Sequence, residues 1–179
     1  MTFMSISAII QSLEAQGALV RFLPQRTLKL ARRRLFLSPR MSHLLNDPNS
    51  AVNLLVGKGH IEAALTLWTV GDRIYDDGKA PAGPGFLKRL RGPPPDVWEI
   101  KVTNPIPQAR IFGRFAEPDT FIATDMHERS FLGKRGSQNW ANTCAQCAGD
   151  WTTLFPNHQA MTGTYLAQFV TENRDDFAL

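Results

Sequence analysis

VWEIKVTNPIPQARIFGRF, residues Val97 to Phe115, holds two short runs in strand rhythm with charges set between the apolar positions. Trp98, Ile100 and Val102 alternate with Val97, Glu99 and Lys101, the period of a half-buried strand. In the second run Ala109, Ile111, Gly113 and Phe115 share one face, and Arg110, Phe112 and Arg114 share the other. NPIPQ makes the turn between them. The charges pose the functional question. Glu99, Lys101, Arg110 and Arg114 either keep one face of a sheet wet or line a surface that handles an anionic substrate.

Working outward, EPD turns again and DTFIATDM supplies a third strand. SQNWANTCAQCAGDWTTLF follows as a helix ending at Pro156, and GTYLAQFVTENRDDF as a last helix or strand with an acidic end. Upstream, FLKRLRGPPPD reads as a basic turn and APAGPG as a loop. DPNSAVNLL starts a short helix, Gly57 and Gly59 break it, and a longer helix carries Ile61, Leu65, Trp68, Ile74 and Tyr75 with Gly78 as its stop. MSISAIIQSLEAQGALV suggests a first helix, capped by Ser5 or Ser7 and closed by Gly17. The expected fold class is α+β: N-terminal helices, then a small antiparallel β-meander packed against helices.

At 179 residues the chain suits one well-buried domain plus an appendage. Hydrophobic residues at 43% and charged residues at 20% exclude a disordered or fibrous protein. No window approaches 18 uninterrupted apolar residues, so no membrane span is expected. With two cysteines and no secretory pattern at the start, a reducing cytoplasm is the expected home. The basicity is uneven: seven Lys or Arg against one acid through Asn46, then thirteen against fifteen. Residues 1–46 are accordingly set apart as a basic N-terminal extension, and 47–179 as the α+β domain.

From about Ser50 to Phe155 the chain resembles the RelE/ParE toxin superfamily, particularly its phage-derived HigB-like branch. The likeness lies in two helices and a basic loop before DVWEIKV, an arginine-bearing strand in ARIFGRF, a third strand running into a charged end in FIATDMHERSF, and a closing helix in SQNWANTCAQCAGDW. Where the family's third strand usually ends in an aromatic and a lysine pair, this chain has His127, Glu128 and Arg129. The resemblance implies a toxin-like endoribonuclease that cleaves RNA without metal or cofactor and so inhibits translation. Its implied partners are RNA or the ribosome, with an acidic antitoxin-type protein as a further one.

Such cleavage needs the 2′-hydroxyl deprotonated, the phosphorane charge stabilised and the leaving 5′-oxygen protonated. Cations fixed on a rigid sheet stabilise the transition state with little reorganisation. Arg110 and Arg114, about 13 Å apart by the rise of a strand, suit successive phosphates, and Phe112 between them suits base stacking. The competing reading pairs both arginines with Glu99 and other acids and packs Phe112 under a helix. His127 carries the side-chain type for proton transfer near neutral pH, with Arg129 beside it. Glu128 could serve as a base, and a lone histidine at a strand end is also a common capping residue.

Lys29, Arg32, Arg33 and Arg34 in the front segment, with Lys88, Arg89, Arg91 and Lys134, are the expected nucleic-acid contacts. Leucines interleave with the front cations, so that segment equally suits a strand or helix docked on the domain. Cys144 and Cys147 sit at i, i+3 in a predicted helix, a spacing that suits core cysteines better than a redox or zinc site. Two further readings stand beside the nuclease: a non-catalytic nucleic-acid-binding or partner-binding module of the same fold, and a structural or assembly protein of phage origin.

Overall fold

The computed structural model describes residues 4–24, 29–74 and 86–174. Tyr75, the stop at Gly78, the APAGPG loop and the last acidic residues lie outside them. The chain is α+β, with a six-stranded mixed sheet between two layers of helices.

The quoted stretch forms β4 (Trp98–Val102) and β5 (Ala109–Glu117), followed by β6 (Thr120–Glu128), three antiparallel neighbours in sequence order. Their aromatic and β-branched residues at period two favour this pairing. Outside this meander lie β1 (Val20–Arg21), β2 (Arg34–Leu37) and β3 (Leu87–Arg89), giving the order β1-β2-β6-β5-β4-β3. β2 runs parallel to β6, with Arg34 opposite Thr120 and Leu37 opposite Ala123, so the sheet is mixed rather than antiparallel throughout. β3 forms inside the stretch expected to be only a basic turn, with Lys88 opposite Glu99.

The described residues of 1–46 are therefore woven into the domain rather than appended to it. Leu35 and Leu37 of β2 point into the main core with Met41 and Leu45, and Phe36 points to the opposite layer with Ile10. The segment is amphipathic at strand period, and burying that apolar face outweighs its charge.

Helix α1 (Ile6–Ala15) starts at Ser5, whose hydroxyl accepts from the Ala8 amide, and α2 (Pro39–Asn46) starts at Ser38 with proline in its first turn. α3 (Ala51–Leu55) and α4 (Lys58–Thr69) follow, then α5 (Arg129–Leu132), α6 (Gln138–Leu154) and α7 (Leu166–Phe169) after the sheet. α2, α3 and α4 cover one face, where Trp68 meets Phe115 and Phe121 at centroid distances of 5.6 and 5.8 Å. α1 and α6 cover the other, with Trp151 over Phe36 and Ile122, and Trp140 and Cys147 over Phe112.

Coverage of both faces corrects the half-buried reading of the two strands. Glu99 is 1% exposed and Lys101 and Arg110 are each 8% exposed, so these charges sit in the layer between sheet and α6 rather than on a wet surface. At Gly113 the register shifts by one residue, and an added Cβ would lie 2.3 Å from the Ile122 carbonyl oxygen, so only glycine fits. Among the described residues no helix is long and apolar enough to cross a membrane.

Candidate functional site

The α6-facing side of the sheet carries two cross-strand rows. Arg110 on β5 stands between Lys101 on β4 and His127 on β6, while Lys88, Glu99, Phe112 and Asp125 line up from β3 to β6. Strand pleating puts Asp125 and His127 on the same face, two residues apart. Nε2 of His127 lies 3.1 Å from Oδ2 of Asp125, and Nη2 of Arg40 lies 3.1 Å from the same oxygen. An ionised carboxylate only accepts, so Nε2 of His127 carries the hydrogen of this bond, and in the neutral ring the lone pair is on Nδ1.

Burial by itself raises the Asp125 carboxyl, but the hydrogen bond and charge of His127 and of Arg40 outweigh it and hold the group below the usual carboxylate range. The imidazole stacks on Phe131 at 4.8 Å, and the Phe131 ring is itself exposed. An oriented histidine, its side chain 20% exposed and Arg40 on the same carboxylate, can move a proton beside a bound anion. Sequence reasoning missed Arg40 and Asp125. The i, i+2 spacing of Asp125 and His127 on a strand was the available signal for one of them; Arg40 reaches the pair only through the placing of α2.

The other expected catalytic residues are differently engaged. Arg110 pairs with Glu99 at 3.5 Å and donates to the Ala109 carbonyl and the Gln108 side chain. Glu99 is held in a nearly dry site: burial pushes its carboxyl up against the opposing pull of Arg110, Lys101, Arg135 and Lys88. Arg114 donates to the carbonyls of Pro95 and Asp96 and lies over the Trp151 ring. It does not join Arg110 in a phosphate ladder. Arg129 donates to the Gly133 carbonyl and stacks over Trp140, and Glu128 caps α5 by accepting from the Ser130 and Phe131 amides.

Phe112 is fully buried against Trp140, Leu132 and Cys147, so it offers no ring to a base. The α6 cover, invisible in a strand's own period, is the reason. Cys144 and Cys147 belong to the same layer, and burial pushes their thiols up to about 11 and about 12. Neither is a ready thiolate at neutral pH.

The front cations are spent on acids from later in the chain. Arg32 pairs with Glu172 at 3.1 Å and Arg34 pairs with Glu117. Arg33, 3% exposed, donates to the Asp72 and Glu172 carbonyls, approaches Asp119 at 3.7 Å and lies over the Trp68 ring. Arg33 is a structural clamp and not a nucleic-acid contact. Lys29 is exposed. Since Arg34 faces the start of β6 and His127 sits near its end, the two clusters stand about 23 Å apart.

Lys88, Arg89 and Arg91 are brought together elsewhere. With the 92–96 loop, Arg135, Gly136 and the first turns of α6 they line a groove of about 790 Å³. Arg89 pairs with Asp96 and donates to the Gly163 carbonyl, while Arg91 and Arg135 lie exposed at the mouth and Lys134 is exposed next to Arg135. Four cations and one carboxylate, Asp96, are among its lining residues, and Lys88 and Arg135 also act on the buried Glu99.

Compared with protein-family models, with characterised proteins and with solved structures, the chain gives no significant match to any of them.

Proposed function

We propose that this chain is a RelE/ParE-like endoribonuclease whose reacting centre is the rim of the sheet at His127. The observation that carries the reading is the partly exposed imidazole hydrogen-bonded to the buried Asp125 carboxylate, with Arg40 on the same carboxylate and Arg110 across the strand. Nδ1 takes the 2′-hydroxyl proton, the 2′-oxygen bonds to the adjacent phosphorus and the bond to the 5′-oxygen breaks. The products are a 2′,3′-cyclic phosphate and a 5′-hydroxyl, the latter protonated by a water molecule whose hydroxide then takes the proton from the imidazolium. Asp125 stabilises the imidazolium that forms, and Arg40 lies where a guanidinium can meet the developing phosphorane charge. The resemblance of residues 50–155 to that superfamily in sequence supports the same reading.

A second reading, a binding module without catalysis, is favoured by Arg110, Arg114 and Glu128 being committed to internal partners. Inducible expression of wild type beside His127→Ala, following growth and the 5′ ends of cellular RNA, separates the two. The nuclease reading expects growth arrest and new 5′-hydroxyl ends with wild type, and a fall of about a hundredfold in cleavage for His127→Ala. Equal cleavage by the variant removes His127 from the site. Wild type that neither arrests growth nor yields new ends leaves the binding reading.

A further inference from the structure

We infer that the groove between β3 and the start of α6 is a binding site for a nucleotide of a single RNA strand, separate from the centre at His127. The inference rests on the RNA-directed reading above and adds to it where a neighbouring part of the strand is held.

The chemistry of the groove is two-sided. Leu90, Pro94 and Ala141 give it an apolar wall, suited to the face of a base, and Lys88, Arg91 and Arg135 give it a cationic rim, suited to the phosphate. Its volume of about 790 Å³ falls in the range of small-molecule sites, roughly 300 to 1,000 Å³. Arg89 is fixed by Asp96 and the Gly163 carbonyl, so it shapes the wall, while Arg91 and Arg135 carry their charge at the exposed mouth. α6 is seventeen residues long and opens beside this rim, so its dipole adds to the same positive field.

A row of charged side chains crosses the sheet from the groove to the proposed centre. Lys88 lines the groove and stands opposite Glu99, Glu99 pairs with Arg110, and Arg110 stands opposite His127. Three strand spacings separate Lys88 from His127 laterally, about 14 Å. A base in the groove therefore belongs to a neighbouring nucleotide and not to the one being cut.

The test is fluorescence anisotropy of an end-labelled single-stranded RNA dodecamer at several salt concentrations, with cleavage of the same RNA followed on a gel. Wild type is compared with Arg91→Ala/Arg135→Ala, and with Lys58→Ala/Arg73→Ala, which removes as much charge elsewhere on the exposed surface. The groove variant is expected to bind about tenfold more weakly and to lose about 1.4 from the salt slope, two phosphate contacts at about 0.7 each. The control is expected to bind within twofold of wild type, and Arg91→Lys/Arg135→Lys to recover most of the loss. Unchanged affinity and slope in the groove variant overturn the inference while any cleavage keeps the nuclease reading alive. Equal weakening in the control overturns it too, since the effect would then be net charge. Displacement of the strand by AMP at the strand's own concentration overturns the strand as the ligand. Binding lost in the groove variant with no cleavage by wild type upholds the groove and removes the nuclease.

Discussion

Arg32, Arg33 and Arg34 stand three in a row at the entry to β2, and Lys88, Arg89 and Arg91 fall within four residues around β3. In sequence the two look alike. In the fold each front arginine meets an acid from elsewhere, Glu172, Asp119 or Glu117, while around β3 a groove opens whose lining includes Lys88, Arg89, Arg91 and Arg135, with Arg89 paired to Asp96. The difference comes from what the neighbouring backbone must bury. β2 lies against β6, and Arg33 at its entry turns inward to the end of α4 and the 172–174 segment while Arg32 and Arg34 pair nearer the surface, whereas β3 is an edge strand with one side open. How far a cluster of cations stays open to solvent is thus set by the topology around it and not by its spacing in sequence.

The sharpest break of that contrast is in the layer beneath the groove. Phe112→Ala removes a fully buried ring from the cluster with Trp140 and Cys147 and is expected to cost about 4 kcal/mol in denaturant unfolding. A loss under 1 kcal/mol would mean that the ring is free, as base stacking requires. Next in size, Arg33→Ala leaves the Asp72 and Glu172 carbonyls without their donor and is expected to cost about 3 kcal/mol. A variant that keeps its stability but loses RNA affinity would restore Arg33 to the nucleic-acid surface.

Much of the fold was legible in the chain itself. The meander follows from the period-two placing of Trp98, Ile100, Ile111, Phe115 and Phe121, and the helix starts from Ser5, Ser50 and Ser137 as caps. Ser38–Pro39 carries an equally good helix-start signal for α2, which that sequence reading did not use. The pairing of β2 with β6 was not legible, because a four-residue strand specifies its partner only through contacts more than eighty residues away. Nor was the burial of Glu99 and Arg110. An alternating strand looks half-wet until the helix that covers its charged face is in place. Of the candidate centre, His127 was legible from residue type, Asp125 from spacing, and Arg40 from neither.

The acid limb of stability tests the Asp125 arrangement. A carboxyl held below its unfolded value, about 3.9, contributes stability that is present above that pH and is lost as pH falls through the lower folded value. Asp125→Asn is expected to cost about 1 to 2 kcal/mol at pH 7 and progressively less as pH falls below about 3.9, where wild type loses the same contribution. Parallel stability curves from pH 7 to pH 2 would show that His127 and Arg40 do not favour the ionised carboxylate.

The smallest effect is the most telling for the comparison between the two clusters. Arg32 neighbours Arg33 in sequence, yet its pair with Glu172 lies in solvent, with the two side chains 60% and 66% exposed. An exposed pair gains little, since water screens it and two long side chains must be ordered to form it. Arg32→Ala is therefore expected to change stability by no more than about 0.5 kcal/mol. If it matches Arg33→Ala instead, the three front arginines act as one network, and the burial of Arg33 alone no longer explains why this cluster is closed to a ligand.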